Sequence, residues 1–127
     1  MNSERKTVFI VEDDENISYL LGFMLEREGF RVTLAADGKK AMEFVDKEFP
    51  PSIILLDIML PHHNGYEILT RIRQKLSWKK VPVIMLTTKA MEKDIVRALK
   101  LGANDYILKP FQPEELMARL TRFTSEI

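Results

Sequence analysis

Three short, unbroken apolar runs stand out along the chain, Val8 to Val11, Ile53 to Leu56 and Val83 to Leu86, with weaker ones over Arg31 to Ala35 and Tyr106 to Leu108. Continuous runs of this length, without alternation, suit strands of a parallel sheet covered on both faces, since neither face meets water. Between them, apolar residues fall at helical spacing: Ile17, Leu20, Leu21, Met24 and Leu25, then Ala41, Phe44 and Val45, then Ile95, Ala98 and Leu99, and finally Leu116, Leu120 and Phe123. The stretch from Tyr66 to Leu76, with Leu69 and Ile72 inward, supplies the remaining helix. Punctuation agrees. Gly29 and Gly102 sit where a chain leaves a helix, Asn64 is placed as an N-cap, and Pro113 followed by Glu114 and Glu115 reads as a first helical turn.

Five strands alternating with five helices predict an α/β fold with a parallel sheet and right-handed crossovers. Functional groups in such folds gather beyond the carboxyl ends of the strands, beside the topological switch point. The residues there are polar: Glu12, Asp13 and Asp14 follow the first strand, Asp57 the third, Thr87 and Thr88 the fourth, and Lys109 the fifth. If strands one and three are neighbours, Glu12 or Asp13 converges on Asp57, and like charges that close do not all stay ionised without a cation. The available ligands are carboxylate and carbonyl oxygens, so the ion expected is Mg²⁺. His62 and His63 read as solvated loop residues after Pro61, and Asp14 as the cap of the next helix. A nucleophilic carboxylate, a metal, a hydroxyl donor and a fixed cation make up a phosphoryl-transfer site, with an acyl phosphate on Asp57 as the implied intermediate.

Composition narrows the classes. A chain of 127 residues encloses one core and leaves little room for a second. Its formal net charge of zero provides no field to gather polyanions, and the basic stretch Arg71 to Lys80 reads as a solvated helix face and loop, so no direct nucleic-acid partner is expected. The absence of cysteine excludes disulfides, thiolate metal sites and thiol nucleophiles and fits a cytoplasmic location. The N-terminal apolar run is too short for a signal sequence or a membrane span, so no membrane insertion is expected.

The segments VFIVEDDE, ILLDIMLPHHNGYE, VPVIMLTTKA and GANDYILKPF resemble the receiver domains of two-component response regulators, the CheY-like superfamily, over about Thr7 to Phe123. The resemblance implies a single receiver domain over residues 1–127 with a core of about 7–123. It also implies a doubly wound (βα)5 flavodoxin-like sandwich with strand order 2-1-3-4-5. By the same likeness Asp57 is the phosphoacceptor, and Glu12, Asp13, Asp57 and the backbone carbonyl of Met59 hold Mg²⁺, with Mn²⁺ as a substitute. Lys109 pairs with the phosphoryl group across a cis Lys109-Pro110 bond. Thr87 and Tyr106 match the switch pair, in which the hydroxyl moves to the phosphoryl group and the ring turns inward. Thirty positions separate Asp57 from Thr87 and nineteen separate Thr87 from Tyr106.

The resemblance further implies a phosphorylation-dependent switch, not a turnover enzyme, fed by a sensor histidine kinase, a histidine phosphotransfer protein or a small phosphodonor. Its output would be the face made by the fourth helix, fifth strand and fifth helix, which binds a downstream protein or a second copy. Asp105, Glu115, Arg119 and Arg122 match charged positions used for dimerisation in the transcription-factor subfamily. Ile95, however, stands where those relatives place arginine, and Lys93 where an acid is common. Ile95 reads either as part of an apolar docking patch or, with Ala98 and Leu99, as core. Among rivals, a haloacid-dehalogenase-type phosphatase needs a second aspartate two positions after the first, where this chain has Met59. A nucleotide-binding loop needs clustered glycines, and the five present are scattered. A pseudo-receiver that serves only as an interaction module is disfavoured by the retention of Asp13, Asp57, Thr87 and Lys109.

Overall fold

The apolar runs become strands and the periodic segments helices in a computed structural model that describes residues 6–125. In chain order these are β1 (Thr7–Val11), α1 (Glu15–Arg27), β2 (Arg31–Ala35), α2 (Gly38–Lys47), β3 (Ile53–Leu56), α3 (Gly65–Gln74), β4 (Val83–Thr87), α4 (Glu92–Lys100), β5 (Asp105–Leu108) and α5 (Pro113–Thr124). All pairings are parallel and the sheet order is β2-β1-β3-β4-β5, the flavodoxin-like arrangement.

Alternate side chains of each strand enter opposite layers, as the pleat requires. Phe9, Val11, Ile54, Leu56, Val83 and Met85 pack under α2, α3 and α4 with Ala41, Val45, Leu69, Ile72 and Ala98. Val8, Ile10, Ile53, Leu55, Ile84 and Leu86 pack under α1 and α5 with Leu21, Leu25, Leu116 and Leu120. Helix ends follow the punctuation. Asp14 accepts from the N–H groups of Asn16 and Ile17, and Asn64 and Glu67 form a reciprocal capping box. Gly29 and Gly102 carry φ of +96° and +109°, where L side chains are strained.

Three expectations are corrected. Leu20 is 46% exposed, because α1 buries a narrow stripe through Leu21 and Leu25 and Leu20 lies a step outside it. On α4 the inward pair is Asp94 and Ala98, which leaves Ile95 half-buried and turns Leu99 out at 48% exposure. The basic stretch from Arg71 to Lys80, over the end of α3 and the loop that follows, is a tertiary clamp and not only a solvated face. The Arg73 guanidinium donates to the carbonyls of Gly102, Lys79 and Val81 and to Asn104 Oδ1. Lys75 Nζ donates to the Val45 and Asp46 carbonyls at the end of α2. Trp78 is fully buried, edge-on to Phe9 and Phe44, with its indole N–H on the Glu48 carbonyl at 3.1 Å.

Candidate phosphorylation site

Parallel pairing of Val11 with Leu56 brings the ends of β1 and β3 side by side, so the residues that follow, Glu12 and Asp57, leave the sheet together. Both are buried, at 3% and 6% exposure, whereas Asp13 is exposed. One carboxylate oxygen from each of Glu12, Asp13 and Asp57 lies within 4.8 Å of the others. Lys109, delivered by the loop after β5 next to a cis Lys109-Pro110 bond, reaches into this group. Its Nζ donates to Glu12 Oε1 at 2.6 Å and to Asp57 Oδ2 at 2.9 Å. The main chain completes the cradle: Asp14 N–H donates to Glu12 Oε2 at 3.1 Å and Met59 N–H to Asp57 Oδ1 at 3.3 Å.

The electrostatics follow from burial and that one cation. Burial pushes the Glu12 carboxyl above its ordinary value, against the hydrogen bond from Lys109 that pulls it down. For Lys109 burial works against the charge, but the hydrogen bonds to Glu12 and Asp57 outweigh it and the ammonium is held above its usual range. The net result is a charged lysine locked between two buried acids. The donor set is all oxygen, with one exposed acid at the mouth, and suits a hard divalent cation that keeps positions open to water or phosphate.

Gly65, the first residue of α3, is pressed onto the chain just after β3. A Cβ there would sit 2.3 Å from the Asp57 carbonyl oxygen and 2.7 Å from Ile58 Cα. Its N–H donates to the Ile58 carbonyl at 2.8 Å. The requirement for glycine here is one of space, and it ties the start of α3 to the backbone of the site.

Thr87 ends β4, fully buried, and its Oγ1 accepts from Lys89 N–H at 3.4 Å. Tyr106 is half-buried against the core under α4, and its hydroxyl donates to the Lys89 carbonyl at 2.8 Å. Thr87 and Tyr106 are thus joined through one residue of the β4–α4 loop. Burial pushes the Tyr106 phenol up to about 12, with Tyr66, Asp94 and Asp57 adding to it. A raised folded-state value stabilises the native state below the ordinary 10.0, and that contribution is lost as pH rises through about 12. An absorbance titration of tyrosinate on the native protein is expected to contain a late step near that value that disappears in Tyr106→Phe. An unchanged titration in the variant would refute the assignment.

Of the residues singled out in the sequence, Glu12, Asp13, Asp57 and Lys109 are drawn into one cluster, with Met59 contributing its N–H from an exposed position. His62 and His63 stay outside it, although His62 adopts φ of 73° and the main chain of His63 would block any side chain at Gly38. On the face of α4, β5 and α5, Arg119 is bonded to Asp105 and Glu115 of its own chain. Sequence reasoning missed the main-chain role of Lys89 and a contact of Tyr66 with Asp94. A backbone contact leaves no trace in residue type, and residues 66 and 94 meet only through packing.

Fold and site together define an α/β protein of flavodoxin-like topology with an acidic cluster that could hold a metal ion at the switch point of its sheet. A family model described as the response regulator receiver domain matches residues 8–121, and the chain belongs to that family. It is similar in structure to the receiver domain of a sensor histidine kinase from Pseudomonas aeruginosa, solved with a magnesium ion in its active-site cleft, at 34% identity and TM-score 0.87, covering 97% of this chain and 100% of that one. A putative response regulator from Chloroflexus aurantiacus matches at 32% identity and TM-score 0.89, with coverage of 97% and 100%. A CheY-like receiver domain protein from Methanospirillum hungatei matches at 31% identity and TM-score 0.87, with coverage of 94% and 93%. No helix among the described residues is long and apolar enough to cross a membrane.

Proposed function

We propose that the protein is a phosphorylation switch in which Asp57 accepts a phosphoryl group from the phosphohistidine of a sensor kinase or phosphotransfer protein, or from a small phosphodonor. The observation that carries this reading is the Lys109 ammonium bridging Glu12 and Asp57 beneath a three-carboxylate cluster. An Asp57 oxygen forms the new bond to phosphorus while the donor atom, the imidazole nitrogen of a phosphohistidine or the bridging oxygen of a small phosphodonor, leaves with the electron pair of the broken bond. Glu12, Asp13, Asp57 and the Met59 carbonyl would hold Mg²⁺, with Mn²⁺ as a substitute, and the ion supplies charge neutralisation at the phosphoryl oxygens. Lys109 shifts its bond from the Asp57 carboxylate to a phosphoryl oxygen. Met59 N–H, already on Asp57 Oδ1, steadies the nucleophile.

The readout is conformational. Thr87 exchanges its contact with Lys89 N–H for a bond donated to the phosphoryl group, and the β4–α4 loop, held by Tyr106 through the Lys89 carbonyl, follows. Contacts available only in the phosphorylated arrangement shift the population and remodel the α4-β5-α5 face. That face carries exposed Met91, Leu99 and Leu108 beside the internally paired Arg119, which favours a downstream protein over a charge-swapped homodimer. The switch accepts and loses its own phosphoryl group without turning over a substrate, and it acts in the cytoplasm.

Intact-protein mass spectrometry after incubation with acetyl phosphate tests the proposal. The expected outcome is a single phosphoryl adduct that requires Mg²⁺ and is absent from Asp57→Asn. No adduct under any condition leaves a pseudo-receiver interaction module.

A further inference from the structure

Tyr106 bonds the loop that leads into α4, and a second tyrosine, Tyr66, bonds α4 itself. α4 is lightly anchored: its N-cap Met91 makes no side-chain hydrogen bond, and of its nine residues only Asp94 and Ala98 are buried. A buried carboxylate on the first turn of a helix needs a donor, or its desolvation goes uncompensated. That donor is Tyr66, itself 4% exposed, whose hydroxyl lies 3.3 Å from both Asp94 Oδ1 and the Asp94 carbonyl oxygen. One turn further along α4, the Arg97 guanidinium covers the Tyr66 ring at 4.0 Å. The start of α3 that carries Tyr66 is packed closely on the site, since the preceding Gly65 leaves no room for a Cβ against the backbone of Asp57 and Ile58. The contact therefore connects the chain immediately after Asp57 to the helix whose position the switch controls.

We propose that Tyr66 is a positioning residue of the switch: its hydroxyl latches α4 through Asp94 in the resting arrangement, and the latch is released when Thr87 turns away from Lys89 and α4 shifts. This rests on the phosphorylation reading above. The latch is present with Thr87 Oγ1 still accepting from Lys89 N–H, which is the arrangement that phosphorylation must undo. A contact made in the resting arrangement and lost in the active one opposes activation, so removing it moves the population toward the active state.

Tyr66→Phe tests this, because it keeps the ring, its burial and the stacked Arg97 and deletes only the hydroxyl. The probe is beryllofluoride with Mg²⁺, titrated into the whole chain and followed by the amide resonances of Thr87 and Lys89. The variant is expected to bind the probe more tightly, on the order of fivefold. Hydrogen exchange is expected to rise in the amides of α4 and not elsewhere. Asp94→Ala, which removes Oδ1 and leaves the Asp94 carbonyl as an acceptor, should give an equal or smaller gain, and the double variant no more than Tyr66→Phe, since the bond to Oδ1 is lost in both. A purely structural role would lower thermal stability and leave probe affinity where it was. Probe binding by the parent with unchanged affinity in Tyr66→Phe, or with additive effects in the double variant, overturns the latch alone. A parent chain that binds no beryllofluoride overturns the phosphorylation reading and the latch with it.

Discussion

Lys109→Met is expected to destabilise the protein by about 3–5 kcal/mol near neutral pH, the cost of leaving a buried charge without its partner. Methionine retains most of the packed stem of the lysine, so the loss isolates the charge. The lysine is 10% exposed and its partners Glu12 and Asp57 are 2% and 7% exposed at their side chains, so little water is present to screen the two carboxylates once the ammonium is gone. Mg²⁺ is expected to recover a large part of the loss, because it binds the same oxygens in the native state and finds no such site in the unfolded chain. The parent should gain less from the ion, since its lysine already neutralises the pair.

The pH dependence has a definite sign. Burial already raises Glu12 above 4.5, and Lys109 is the largest influence pulling it down, so the variant raises it further. A group raised in the folded state stabilises the protein below its unfolded value, and that contribution is lost as pH climbs through the folded value. The stability gap between parent and variant should therefore be widest near neutral pH and close as the pH falls toward 4.5. Denaturant unfolding with and without Mg²⁺ measures each part. A variant as stable as the parent and indifferent to the ion would contradict the charge arrangement described above. On the proposed function, in which Lys109 bonds a phosphoryl oxygen, the phosphoryl adduct on Asp57 should also fall sharply in this variant.

Trp78→Ala is expected to cost about 3–5 kcal/mol, the range for emptying a large aromatic site. The indole is fully buried between β1 and the ends of α2 and α3, edge-on to Phe9 at 6.3 Å and to Phe44 at 6.0 Å. Its removal opens a cavity in the layer under α2 and α3 and leaves the Glu48 carbonyl without its donor. Trp78→Phe should recover most of the loss and retain a deficit of about 1 kcal/mol for the missing hydrogen bond and volume. Equilibrium unfolding of both variants, with the slope unchanged, distinguishes lost stability from a change in the unfolded state. An alanine variant within about 1 kcal/mol of the parent would mean that the site collapses around the deletion. Phosphorylation should survive in the folded fraction of either variant, since Trp78 lies at the opposite end of the sheet from Asp57.

Trp78 also marks where the sequence stops being informative. Next to Lys79 and Lys80, in a basic stretch without period, it has the local pattern of a solvated loop. Only the return of the chain from α3 to β4 past the end of α2 buries it. Arg73 is similar, a charged residue on a helix whose guanidinium fixes three carbonyls from other segments. Leu20 and Leu99 fail in the other direction. Apolar spacing limits a helix face only to within a residue or so, and the angle at which α1 and α4 rest on the sheet turns both outward.

The residues that the sequence determined by itself are those whose local pattern and global role coincide. Continuous apolar runs suit strands buried on both faces, alternating helices predict a parallel sheet, and parallel strands deliver their end residues to one edge; the strand order that makes neighbours of the ends carrying Glu12, Asp57, Thr87 and Lys109 was implied by the family resemblance. Tertiary structure alone decided how that edge is wired. It set which acids are buried and which exposed, gave Lys109 to Glu12 as well as Asp57, and routed Thr87 and Tyr106 through the backbone of Lys89. It also joined Tyr66 to Asp94 across twenty-eight positions of chain. These contacts depend on distances between elements that no periodicity encodes, and the two through Lys89 use main-chain atoms that every residue type shares.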